Sequence, residues 1–157
     1  MNPSVSVRNL GVILDPELNM QSQVANICRQ SMVSVRNIGK IRKYIDQRTT
    51  EMLVNCLVTS RVDYCNALLC GVSMGCISKI QRIQNLCARI ITKSTFDTSI
   101  LKLQQSLHWL PVSARIKYKS LLLAYKALNS GPGYLSDIIT LYVSFGQICS
   151  ISLESTS

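Results

Sequence analysis

The stretch Thr50-Glu51-Met52-Leu53-Val54-Asn55-Cys56-Leu57-Val58-Thr59-Ser60-Arg61-Val62-Asp63-Tyr64-Cys65-Asn66-Ala67-Leu68-Leu69 reads as one helix about which the rest of the chain is arranged. Between Met52 and Val58 apolar residues fall on every side at 3.6 residues per turn, the pattern of a helix covered by others, and the run is too short to span a membrane. Arg61 and Asp63 follow at once. Two apart, they point to different faces and cannot pair across a helix surface, so each requires another partner or water. The helix is expected to stop near Cys70-Gly71, where glycine takes the left-handed conformation readily.

Upstream, Asp46-Gln47-Arg48-Thr49 reads as a turn in which Asp46 or Thr49 caps the central helix. From about Leu18 to Tyr44, Val24, Ile27, Cys28, Val35, Ile38, Ile41 and Ile45 recur at intervals of three and four, predicting a long amphipathic helix that Gly39 could bend. Its solvent face carries Arg29, Arg36, Lys40 and Lys43 in one stripe. Before it, Val5-Ser6-Val7 and Leu10-Gly11-Val12-Ile13-Leu14 read as two strands or one bent strand, broken by Asp15-Pro16. A two-stranded ribbon is marginal alone, so part of its sheet is expected to be missing.

Downstream, a second amphipathic helix is predicted from about Cys76 to Thr92. Ile77, Ile80, Ile83, Cys87, Ile90 and Ile91 form its apolar face, and Lys79, Arg82, Arg89 and Lys93 repeat the basic stripe, with Leu86 intruding on it. After a polar linker, Thr98 or Ser99 caps a short helix running to about Leu107, ended by His108-Trp109-Leu110-Pro111 because the residue before proline leaves the helical region. Ser113 starts a last long helix, Arg115 to Leu128, on which Arg115, Lys119 and Lys126 share a narrow face. Asn129-Ser130-Gly131-Pro132-Gly133 is a turn, and a short helix is expected over Tyr134 to Thr140. The expected organisation is a β-hairpin remnant at 1–15, a helical thumb-like domain at 16–140 and a disordered, Ser-rich tail at 141–157. The fold class is mainly α, an irregular multi-helix bundle.

Composition agrees with that class: 157 residues, 47% hydrophobic and 16% charged, with seven glycines and four prolines. Met1-Asn2-Pro3-Ser4 is no secretory signal, and an intracellular location without membrane contact is expected. The seven cysteines (Cys28, Cys56, Cys65, Cys70, Cys76, Cys87, Cys149) form no C-x-x-C pair, and His108 is the single histidine. This argues against zinc and disulfides, and most of the thiols are read as small hydrophobes. Enzyme chemistry finds no footing. The acids are dispersed, no glycine-rich phosphate loop is present, and His108 is read as fixing a helix-to-helix corner. No cofactor is expected.

Seventeen lysines and arginines against eight acids give a net charge of +9, which favours an acidic partner. Placement sharpens the point. Arg29, Arg36, Lys40, Lys43, Lys79, Arg82, Arg89 and Lys93 can follow a phosphate backbone without reading bases, giving salt-dependent, sequence-independent binding to RNA or DNA.

Several blocks carry a more specific signal. Val7-Arg8-Asn9-Leu10-Gly11-Val12-Ile13-Leu14-Asp15, Ser60-Arg61-Val62-Asp63-Tyr64-Cys65-Asn66-Ala67-Leu68-Leu69, Ile80-Gln81-Arg82-Ile83-Gln84-Asn85-Leu86-Cys87-Ala88-Arg89-Ile90-Ile91-Thr92, Leu107-His108-Trp109-Leu110-Pro111-Val112 and Tyr125-Lys126-Ala127-Leu128-Asn129 occur in one order. Over about residues 5 to 140 the chain resembles the C-terminal part of the reverse transcriptase of non-LTR, LINE-type retrotransposons of the jockey-like group. The resemblance implies that residues 7 to 15 end the palm and that the helices form the thumb and the region beyond. The two basic stripes would then face template and primer.

The family's RNA-directed DNA polymerase activity rests on metal-binding aspartates, two of them in a Tyr-x-Asp-Asp turn, and this chain has no such turn. It is therefore expected not to be an enzyme on its own. Val72-Ser73 stands where Leu-Pro is usual, and Leu141-Tyr142-Val143-Ser144-Phe145-Gly146-Gln147-Ile148-Cys149 replaces a Pro- and Arg-rich stretch. Such changes can arise from single C-to-T events and suggest a decaying copy of a mobile element. Two rival readings stand beside this one. One is a helical interaction module that self-associates through surface left by the missing palm; the other is a copy with no cellular role.

Overall fold

The computed structural model describes residues 6–139, and within them the protein is mainly helical with a short antiparallel hairpin at the N-terminal end. Strands β1 (Val7–Asn9) and β2 (Val12–Leu14) pair in register Asn9 with Val12 and Val7 with Leu14. Leu10 (φ 45°) and Gly11 (φ 84°) turn between them. Two consecutive positive φ values suit the right-handed twist of a tight hairpin, and leucine is an unusual residue for the first of them. The Tyr64 hydroxyl pins that turn by donating to the Leu10 carbonyl at 2.7 Å. Gln23 ties the sheet to the helices by accepting from the Ile13 N–H at 3.0 Å.

Helix α1 (Gln21–Ile41) lays Val24, Ile27, Val35 and Ile38 on the core, and α4 (Met74–Thr92) answers with Ile80, Ile83, Cys87 and Ile91. Between them lies the central segment, and here the sequence expectation needs correcting in two ways. First, it is not covered on all sides. Thr50, Val54, Val58 and Val62 are buried, whereas Met52 is 60% exposed and Cys56 and Leu57 also face outward. Apolar residues around the whole circumference do not here report burial around the whole circumference.

Second, the segment is not one α-helix: α2 (Gln47–Val54) widens into a π turn over Asn55–Thr59 and then tightens into α3 (Ser60–Asp63). Positions four apart drift by about 40° per step on a regular α-helix. The wider turn takes up part of that drift and keeps Val54, Val58 and Val62 on one line. The chain leaves the helix at Tyr64, earlier than Cys70-Gly71. Cys65 (φ 53°) is left-handed, a 3-10 turn follows at Asn66–Leu69, and Gly71 (φ 86°) then redirects the chain.

At the other boundaries sequence and structure agree closely, with local differences. Asp46 is the cap of α2, accepting from the Thr49 N–H at 3.2 Å. Hydrogen bonding from the Thr49 side chain, more than from its N–H, holds the Asp46 carboxyl below its ordinary pKa. Ser99 occupies the cap position of α5 (Ile100–Ser106) but its side chain makes no cap bond. That helix is not stopped by Pro111. His108 (φ 53°) is left-handed, with its N–H bonded to the Gln105 carbonyl at 3.1 Å and the Trp109 N–H to the Gln104 carbonyl at 2.8 Å. This paired closure ends the helix at Ser106, five residues before the proline.

α6 (Val112–Asn129) begins earlier than Ser113, because Gln81 of α4 accepts from the Val112 N–H at 2.8 Å and Pro111 opens the first turn. α7 (Gly133–Ile138) lies where a short helix was expected. The chain divides into two compact units after Ser120. The expected tail at 141–157 lies outside the described residues, as do Val5, Thr140 and Cys149. No helix among the described residues is long and apolar enough to cross a membrane.

All six described cysteines are free thiols, and among the described residues no three His, Cys, Asp or Glu side chains cluster as a metal site would require. Their placement differs from the small-hydrophobe reading. Cys76 and Cys87 are buried and Cys28 half-buried, while Cys56, Cys65 and Cys70 are exposed. Cys56 lies within the π turn, and Cys65 and Cys70 stand at the two ends of the 3-10 turn that follows α3.

Candidate nucleic-acid interface

The two basic stripes lie on the helices that form the core layer, so their relation depends on how α1 and α4 pack. Lys79 of α4 is close enough to Cys28 of α1 to oppose the rise that burial imposes on its thiol pKa. Eleven residues further along each helix, a Cβ on Gly39 would stand 4.0 Å from Ile90 Cδ1. The helices therefore run parallel, and Arg29 stands level with Lys79, Arg36 and Lys40 with Arg89, and Lys43 with Lys93. The opposite flank of α1 receives α3, where Arg61 donates to Ser34 Oγ at 3.0 Å and to the Gln30 carbonyl at 3.3 Å.

On a helical wheel the α1 stripe lies about 100° from the α4 flank, turned away from α3, and the α4 stripe stands across from buried Ile80, Cys87 and Ile91. The buried faces of both helices cover the central segment. The stripes consequently look out on the same side of the layer and form one basic face. Met32, Leu86 and Ile90, half-buried, fill the seam between them, which accounts for Leu86 among the cations. Neither α1 nor α4 contains an aspartate or glutamate, so the cations have no i,i+4 carboxylate partner on their own helix.

Not all eight candidates are equally available. Arg29, Arg36, Lys40, Lys43, Lys79, Arg82 and Lys93 are exposed. Lys43 Nζ sits 4.7 Å over the Tyr44 ring, a contact that leaves the ammonium in water. Arg89 is committed elsewhere. It donates to the Thr95 and Thr98 carbonyls, its guanidinium lies 5.2 Å from the Phe96 ring centre, and it thereby ties down the loop after α4. Lys93 takes the left-handed position (φ 54°) that closes α4.

Two features carry weight that the sequence reading missed. Arg42 is 9% exposed, and its guanidinium donates to the carbonyls of Ile90 and Ile91 at 2.8 Å each and of Ile45 at 2.7 Å. It thus satisfies carbonyls at the C-terminal end of α4 and locks the ends of the two stripe-bearing helices together. The available signal was its position on the apolar face of α1, in line with Val35 and Ile38. The second is a polar seam on α4. Gln81 donates to both Gln84 and Asn85, Gln84 donates to the Leu110 carbonyl at 2.8 Å, and Gln104 donates to Asn85 at 3.2 Å. These amides position the corner from which α6 departs.

Arg61 and Asp63 both find the structural partners expected of them, Arg61 on α1 as above and Asp63 in an ion pair with Arg115 of α6. In comparisons with protein-family models, curated proteins and solved structures, nothing matches this chain.

Proposed function

We propose that the outer face of α1 and α4 binds RNA or DNA through its phosphate backbone, independently of sequence. The observation that supports this most directly is that two separate stripes, on helices free of acids, come to lie on one side of one layer. On this reading the chain is a thumb-like part of a mobile-element reverse transcriptase. It lacks the catalytic aspartates and has no polymerase activity of its own, in keeping with the block-by-block resemblance.

The test is fluorescence anisotropy with a short single-stranded RNA and DNA across a salt series. Each phosphate contact contributes about −0.7 to the slope of log K against log salt, so four to six contacts predict a slope near −3 to −4. Replacing Lys79, Arg82 and Arg36 by Glu is expected to abolish binding at moderate salt. No binding at low ionic strength, or none lost in the triple variant, would overturn the proposal. The origin has its own test, the nucleotide sequence immediately upstream of Met1. A broken frame with reverse-transcriptase character is expected; an intact frame encoding the Tyr-x-Asp-Asp turn would overturn the decayed-copy reading, and unrelated sequence would overturn the family origin.

A second reading is self-association, and one observation favours it. Tyr118, Leu121, Tyr125 and Leu128 recur on α6 at intervals of three, four and three and are all exposed, the spacing of a helix-pairing seam. Sedimentation of wild type against Leu121→Lys and Tyr125→Lys separates it from the first, because these changes leave the basic face intact.

A further inference from the structure

We propose that the cleft between the π turn and the beginning of α6 holds a single nucleotide, its base against Trp109 and Tyr118 and its phosphate at Lys119. The cleft has a volume of about 350 Å³, within the range of small-molecule sites. One wall is the π turn, a distortion of helices found often at functional sites.

Asn66 is the residue that distinguishes this cleft from a surface dent. It lines the cleft and is only 4% exposed, its Nδ2 donates to Asp63 at 3.3 Å, and its Oδ1 has no hydrogen-bond partner. Buried side-chain acceptors are nearly always satisfied, and no group among the described residues satisfies this one; its Oδ1 is closed to solvent as the side chain stands, so a donor in the cleft reaches it as the amide turns. Asp63 cannot take a ligand's place in that arrangement, because its carboxylate already meets Arg115 and Asn66. The pairing also neutralises Arg115. That leaves Lys119, exposed, as the uncompensated cation at the rim. Trp109 is half-buried and Tyr118 exposed, so both rings offer area to a planar group.

A ligand that answers all three features carries an N–H donor on a flat aromatic body and a negative group attached to it. Nucleobases have N–H edges and π faces, and a 5′-phosphate supplies the charge. A plain anion leaves Asn66 unmet, and an apolar ring leaves both Asn66 and Lys119 unmet. A free mononucleotide and an unpaired nucleotide of a strand share this chemistry. The cleft stands apart from the α1–α4 face, so either proposal can fail without the other.

Trp109 is the chain's single tryptophan, and its fluorescence reports on the cleft directly. The whole chain is titrated with AMP, GMP, CMP and UMP, with adenosine, with inorganic phosphate and with a short single-stranded oligonucleotide. Saturable quenching by at least one mononucleotide is expected, about tenfold weaker for the nucleoside and absent for phosphate. Tyr118→Ala, at an exposed position, should weaken binding about five- to tenfold without touching the fold. Lys119→Ala should weaken the nucleotide and leave the nucleoside unchanged, and Asn66→Ala should weaken both.

Quenching by the oligonucleotide that persists in the α1–α4 Glu variant assigns the site to a strand, and quenching by mononucleotides alone assigns it to a free nucleotide. The proposal is overturned if no titrant saturates by about 10 mM, if phosphate alone reproduces the response, or if Tyr118→Ala and Lys119→Ala both bind as wild type does.

Discussion

Removing the Arg42 guanidinium is expected to destabilise the protein more than any other single change to a charged residue. The magnitude follows from its three bonds. Hydrogen bonds from a charged group contribute about 1.5 kcal/mol or more each when sheltered, and those to Ile90 and Ile91 join two helices far apart in sequence. The third, to Ile45, is local and adds roughly 0.5 kcal/mol. Arg42→Met keeps much of the stem and should cost about 3–4 kcal/mol, or a fall in Tm of about 10 °C for a chain of this size. Arg42→Lys keeps the charge but not the planar fork that reaches two carbonyls at once, and should cost about half as much. Urea unfolding followed by circular dichroism measures both. If Arg42→Met shifts stability by less than about 1 kcal/mol, the carbonyls at the end of α4 are satisfied by water at little cost and Arg42 is not the clamp described above.

Three further outcomes test the description of the core. Val58→Ala should cost about 2 kcal/mol in the same urea experiment, while Met52→Gln and Leu57→Gln should stay within about 0.5 kcal/mol, the reverse of what a fully covered central helix demands. Asp63→Asn removes the ion pair with Arg115; the two side chains are 32% and 24% exposed, so solvent screening limits the loss to about 1 kcal/mol, and a loss above 3 would refute that exposure. Thiol alkylation followed by mass spectrometry should modify Cys56, Cys65 and Cys70 first and spare Cys76 and Cys87. Burial pushes the Cys87 thiol up to about 12 from an ordinary 9.0. The unfolded chain then loses that proton at lower pH than the folded one, so the contribution of Cys87 to stability is complete below pH 9 and declines between pH 9 and 12.

Much of the architecture was legible because it depends on local pattern. Intervals of three and four located α1 and α4 to within a few residues, and the same arithmetic put Arg29 to Lys43 and Lys79 to Lys93 opposite the buried faces. Charge spacing also required partners for Arg61 and Asp63, and both have them. What failed was inference from apolar density. Met52, Cys56 and Leu57 looked as buried as Val54 and Val58, because periodicity says which residues share a face but not how many faces have neighbours.

The helix class, the cap at Asp46, the segregation of cations from apolar residues and the absence of a catalytic aspartate turn are properties the sequence determines by itself, since each follows from residues within a turn or two of one another. The tertiary structure alone decided that the two stripes share one side, which rests on α1 and α4 running parallel. It also decided that Arg89 is spent on the loop beyond its helix, that Arg42 closes α4, and that Asn66 meets the cleft beside Trp109. The Arg89 contacts lie six and nine positions along the chain, beyond the end of its helix; the others join residues roughly 40 to 50 positions apart, and no local rule of helix geometry reaches that far.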